Sequence, residues 1–236
     1  MMQSIYAMHQ NGSDDLEKQE KFLLNSIESI LDLYLLLITI LPELQKKEAE
    51  FIEKSKLKHL ATKAEKNPNL KFVENAIFSL INDNSKLSIA LENHRITNWQ
   101  LNDDTILSLL QEVKQSNLYT NYLASGTTSF EEDKNFIAQL FETIIAPSTV
   151  LYNYLEDFKL TWIDDIPVVN TLILKQLNQL SLQENSFKIP KIYKDDDDRA
   201  FAIALFRKTI LNEDKLAKEF IDKTPNWDID RIAEID

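Results

Sequence analysis

Asp195–Asp236 reads DDDDRAFAIALFRKTILNEDKLAKEFIDKTPNWDIDRIAEID, and this stretch decides the fold. Its acidic opening suits a helix amino terminus, where the peptide dipoles favour negative charge. Apolar residues follow at Phe201, Ile203, Leu205, Phe206 and Ile210, read as an amphipathic helix. A second helix carries Leu216 and Phe220, and Asn226-Trp227 comes next. A third helix starts at Asp230-Arg231-Ile232 and reaches Asp236 without a Gly, a Pro or a cap to end it. Helix after helix joined by short turns predicts an all-α protein.

The rest of the chain agrees. It has 236 residues, 44% of them apolar, enough to bury a sizeable core. Only two glycines, Gly12 and Gly126, and six prolines interrupt it. An all-β or doubly wound chain would need more glycine at its turns. There is no cysteine, which excludes disulfides and thiolate metal sites. No signal peptide is recognisable, and a cytoplasmic location is expected. The most apolar run, Ile30–Leu41, holds twelve residues and includes Asp32. It is too short to span a bilayer and reads as a buried central helix.

At the amino terminus, Gln3-Ser4-Ile5-Tyr6-Ala7-Met8-His9-Gln10 has a Q-x-I-Y pattern. Asn226, Trp227, Arg231, Ile232, Ile235 and Asp236 stand in an N-W-x-x-x-R-I-x-x-I-D register. These two motifs, in this order, resemble the NusB family of bacterial transcription antitermination factors. There a Q-x-L-Y pattern ends the first helix, and the N-W stretch starts the second half of the domain. The pieces cover about a fifth of the 236 residues. The resemblance implies a NusB-like helical bundle carrying a large helical insertion, as in the long members of the family. It divides the chain into 1–12, the end of the first helix; 13–194, the insertion; and 195–236, helices that stop as the second bundle begins. By the same resemblance the chain is expected to be truncated at both ends.

The implied function is antitermination. NusB pairs with the NusE-type small-subunit ribosomal protein, and the pair binds boxA RNA in nascent ribosomal transcripts and joins the elongation complex. The resemblance implies neither enzymatic chemistry nor a cofactor, and no membrane. Tyr6 matches a tyrosine at the NusE-type interface, and ordinary helix packing is its other reading. Asp236 matches an acid near that interface. The net charge of −12 runs against RNA binding, whose affinity comes mainly from Lys and Arg at phosphates. The family's arginine-rich segment would lie before the Q-x-L-Y motif, where this sequence has only Met1-Met2. A helical protein–protein scaffold without RNA binding is therefore the alternative function.

Along the insertion, Ser13 or Asp14 can cap a helix reaching Leu41, Pro42 breaks it, and a second helix runs from Leu44 to about Lys66. Asn67-Pro68-Asn69 is a turn. Helices follow around Leu70–Ile81, Ser85–Leu91, Asp104–Gln115 and Leu118–Ala124. Ser125-Gly126-Thr127-Thr128 is a loop, and Ser129 with Glu132 has capping-box spacing. Residues 131–165 align with 196–230 at an offset of 65, with Phe136/Phe201, Leu140/Leu205, Phe141/Phe206, Ile145/Ile210 and Trp162/Trp227 among the identical pairs. Asn98-Trp99 is a weaker third instance. A duplicated helical unit and convergent amphipathic patterning both explain this.

Candidate chemistry is sparse. Consecutive acids such as Asp195–Asp198 point in different directions along a helix, so dipole stabilisation explains them better than a metal site. Asp103-Asp104 and Asp164-Asp165 precede helices and read as caps. His9, His59 and His94 lack metal-ligand spacing. No nucleophile or phosphate-loop motif occurs. Lys54, Lys56, Lys58 and Lys63 lie in the only basic stretch, with His59, Lys66 and Lys71. They are candidates for RNA phosphates, but interleaved glutamates also allow a plain solvated face. Trp162 and Trp227 read as core residues. Apolar surface is expected at Phe201, Phe206, Ile232 and Ile235, where a second bundle would pack.

Overall fold

The structure, a computed structural model, describes Ile5 and residues 15–183 and 186–211. The described residues are all-α and contain no strand. They fall into two compact units, Ser29–Pro190 and a unit made of Met1–Glu28 with Lys191–Asp236.

Helix α1 (Leu16–Ile38) runs through the first boundary, and α2 (Ile40–Lys56) follows after a single residue. In the larger unit Leu33, Tyr34, Leu35, Leu36, Leu37 and Ile38 are all buried. A helix apolar on every side must be wrapped on every side, and this segment is the centre of the core. Taken together, Leu16–Lys56 is long and apolar enough to cross a membrane. Its most apolar window is longer than the twelve residues read from the sequence, and 56% of that window is buried inside the protein.

The break falls at Thr39, three residues before the expected Pro42. Proline lacks the N–H that would bond the Ile38 carbonyl, so the interruption appears upstream while Pro42 itself sits in the first turn of α2. At the break, Thr39 donates its hydroxyl to the Leu35 and Leu36 carbonyls. Helix α2 ends at Lys56, not Lys66. The chain then reverses, and α3 (Lys63–Lys66) packs back on α2. A full capping box starts α3: Glu65 N–H donates to Thr62 Oγ1, and Thr62 N–H donates to Glu65 Oε2.

Then come α4 (Ala76–Asn82), α5 (Ser85–His94), α6 (Asn98–Leu101), α7 (Asp103–Gln115) and α8 (Asn117–Ala124). Asn75 caps α4, so residues 71–74 form turns and the helix starts later than expected. In this glycine-poor chain Arg95 takes the left-handed position that ends α5, at φ 54°. Helix α9 (Phe130–Leu140) is capped by the Ser129 hydroxyl and continues into a π-turn (Phe141–Ile145). Helix α10 (Thr149–Phe158), a 3-10 turn (Leu160–Trp162) and α11 (Ile166–Gln179) complete the unit. Helix α7 packs on α2 and α10, and α9 packs on α4, α8 and α11.

The other unit contains α12 (Asp196–Leu211) and the first half of α1. Arg207 Nε donates to Glu20 Oε2 at 2.6 Å and ties the two together. Phe206 is buried, against the expectation that it would be exposed, as are Leu23 and Leu24 one turn beyond Glu20. Phe201 is 66% exposed, as expected. Ile232 and Ile235 lie outside the described residues. The two aligned segments differ where they can be compared. Residues 141–145 form a π-turn and the matching 206–210 stay α-helical, while buried Phe136 and Leu140 match exposed Phe201 and Leu205.

Candidate functional site

The basic stretch becomes an exposed chain reversal. Leu57 and Leu60 are 83% and 87% exposed, with lysines on both sides. Lys56 Nζ lies 2.6 Å from Glu53 Oε1, and Lys58 Nζ lies 2.8 Å from Glu65 Oε1. Lys58, with the Thr62 N–H and hydroxyl, holds the Glu65 carboxyl at about 2. Lys54, Lys63 and Lys66 have no ion-pair partner among the described residues, and all three are exposed. Of the four lysines singled out from the sequence, the structure thus pairs Lys56 and Lys58 and leaves Lys54 and Lys63 open. Tyr6 and Asp236 lie outside the described residues, as do His9 and Trp227.

Two interior polar clusters were not read from the sequence. In the first, Tyr122 donates its hydroxyl to Asp133 Oδ1 at 2.6 Å, and Asn75 Nδ2 donates to the Tyr122 oxygen at 3.0 Å. The Ala76 N–H donates to Asp133 Oδ2 at 2.9 Å. Lys71 Nζ stands 4.4 Å from the Tyr122 ring centre and 3.0 Å from Glu132 Oε1. Glu132 therefore serves Lys71 and Thr127, not the reciprocal half of a capping box with Ser129. The Ser125 and Thr127 hydroxyls, then Lys71, hold its carboxyl at about 2. Burial, and then the Asp133 carboxylate, push the Tyr122 hydroxyl up.

The second cluster is centred on buried Glu48. Lys114 Nζ donates to both of its oxygens, at 2.9 and 2.7 Å, and Tyr119 donates to Oε1 at 3.3 Å. Lys114 also lies 4.0 Å from the Phe51 ring centre. Both clusters join different helices and satisfy their own charges, which is what a structural polar network requires.

Among the described residues no three His, Cys, Asp or Glu side chains converge to hold a metal ion. His94, at the end of α5, pairs with Asp32 at 2.5 Å, a partnership the sequence does not reveal. Two acidic pairs differ from the expected caps. Asp103 and Asp104 lie within the first turn of α7, and Asp103 bonds Lys47 at 2.7 Å. Asp165 precedes α11 but makes no side-chain cap bond, and burial followed by the Asp164 charge raises its carboxyl. Before α12, Asp198 Oδ2 accepts the Lys194 N–H at 2.7 Å, so this carboxylate organises the helix start.

An open groove of about 520 Å³ lies beside α4 and α5, lined by Glu74, Ser79, Asp83, Lys86, Phe130 and Phe187 among others. Compared with known proteins, the chain matches no family model, no curated protein and no solved structure.

Proposed function

We propose that this protein is a NusB-type transcription antitermination factor, a non-enzymatic cytoplasmic adaptor. With a NusE-type ribosomal protein it recognises boxA RNA in nascent ribosomal transcripts and joins the elongation complex. The observation that carries the reading is the ordered pair of terminal motifs, Gln3-Ser4-Ile5-Tyr6 and Asn226-Trp227 through Asp236. An all-α fold is compatible with it. Tyr6 and Asp236 are proposed to face the protein partner, Tyr6 as an aromatic anchor with one hydroxyl.

The test mixes the full chain with a NusE-type protein and follows labelled boxA RNA by fluorescence anisotropy at low and moderate salt. A salt-sensitive rise that needs the partner supports the reading, and Tyr6→Ala should weaken the partner step. No rise from a chain with a helical circular dichroism spectrum removes it.

A second reading, a helical protein–protein scaffold without RNA binding, is favoured by the net charge of −12. The engagement of Lys47, Lys56, Lys58, Lys71 and Lys114 by carboxylates points the same way. It predicts partner binding that persists without RNA.

A further inference from the structure

We infer that the reversal between α2 and α3 is a contact surface for the phosphate backbone of single-stranded RNA, with Lys54, Lys63 and Lys66 as its contact cations. The inference rests on the RNA-binding reading above and assigns it a surface. Lys54–Lys66 holds five lysines and one acid, Glu65, in a chain whose net charge is −12. That acid is already engaged, because Lys58 and the Thr62 N–H both donate to it. Lys56 is likewise balanced by Glu53. Three ammonium groups remain without a carboxylate among the described residues, on two helices packed against each other.

The reversal is also held in shape. The capping box fixes the start of α3, and the Lys58–Glu65 pair bridges the two sides of the turn. Cations on a fixed frame pay less ordering entropy when a phosphate arrives. Leu57 and Leu60 stand exposed between them and can lie against sugar or base faces. Phe51 is half-exposed, and Lys114 covers one face of its ring. The recognition expected here is therefore electrostatic and blind to sequence, so it would strengthen and orient the RNA rather than select boxA.

The experiment uses the full chain with the NusE-type protein and labelled boxA RNA across a salt series. Three proteins are compared: the natural chain, K54Q/K63Q/K66Q, and the control K86Q/K175Q/K188Q, which loses the same charge from other exposed lysines. Circular dichroism checks that each is folded. The patch variant should bind about tenfold more weakly at low salt. Its slope of log affinity against log salt should shrink by about 2, since each single-strand phosphate contact contributes roughly 0.7. The control should keep the natural slope. If the natural chain binds RNA and the patch variant matches the control, this inference is overturned and the adaptor reading stands. If the natural chain binds no RNA, both fall. If L57S/L60S weakens capture of the NusE-type protein while the lysine changes leave RNA affinity intact, the reversal is a protein-binding surface and the inference is overturned.

Discussion

Trp99 and Trp162 donate their indole N–H groups to carbonyls of the same helix, Leu36 and Ser29, each at 3.0 Å. Those carbonyls are two helical turns apart on α1. Tyr154 and Phe158 on α10 fill the space between the indoles, with ring centres 5.0 Å from Trp99 to Tyr154, 5.9 Å from Tyr154 to Phe158 and 5.4 Å from Phe158 to Trp162. One aromatic ladder therefore ties three parts of the chain to the central helix.

Replacing either indole by phenylalanine keeps most of the apolar area and removes one donor. Trp99→Phe and Trp162→Phe should each cost about 1 kcal/mol, the usual net worth of a hydrogen bond. Trp→Ala should cost about 3–5 kcal/mol, because a cavity is added. The two phenylalanine changes should not be additive, since the ladder couples their surroundings. Urea unfolding of the two single variants and the double variant measures this, and strict additivity would rule out the coupling.

Glu48 tests the interior charges. Its carboxylate is buried while Lys114 remains partly exposed. Lys114→Met should strand the carboxylate and destabilise the fold by about 3 kcal/mol, the lower end for breaking a buried pair because solvent reaches the lysine side. Glu48→Leu with Lys114→Met should recover part of that loss, since neither charge is then buried alone. A double variant less stable than Lys114→Met alone would contradict the desolvation argument.

These particulars show what the sequence can and cannot reveal. Leu33–Ile38 announced its burial because six apolar residues in a row leave a helix no polar face. Ser129 announced its cap because capping is local. The break at Thr39 was displaced from Pro42 because proline acts through the carbonyl four residues upstream. Glu132 was legible as an acid at the right spacing, but its true partner Lys71 lies 61 residues away. Glu48–Lys114, Tyr122–Asp133 and Asp32–His94 were hidden for the same reason, since nothing in local periodicity identifies a partner on another helix. The basic reversal was visible as a cluster, whereas which lysines remained open depended on Glu53 and Glu65 adopting particular positions.

Acid should loosen the reversal and the loop before α9 in one pH window. Glu65 and Glu132 are held at about 2 in the folded chain, against an ordinary value of 4.5. Their folded forms bind protons less readily than the unfolded chain does. The stability they contribute is whole above about 4.5 and disappears as pH falls through about 2. Urea midpoints measured down this range should fall less steeply for Glu132→Gln than for the natural chain. Identical pH slopes would mean that Glu132 does not carry this stability.

Alkali should act through the buried tyrosines. Burial raises the hydroxyls of Tyr34, Tyr119 and Tyr122 above their ordinary value of 10.0, with Glu48 and Asp133 adding to the effect at the last two. Each neutral phenol is thus favoured by the folded state. The resulting stability is complete below about pH 10 and is lost as pH rises through the folded values. Of the seven tyrosines, these three should not ionise with the first to titrate. They should appear in the ultraviolet absorbance titration only together with the loss of helical circular dichroism. Tyr122→Phe should remove one of these late-titrating groups. It should also cost about 1.5–3 kcal/mol at neutral pH, because Asp133 loses a hydroxyl donor and keeps its charge. If all the tyrosines titrate in a single step while the helical signal is intact, the three hydroxyls are not sheltered as the packing of α1 and α11 around Tyr34, and of α2, α4, α8 and α9 around Tyr119 and Tyr122, requires.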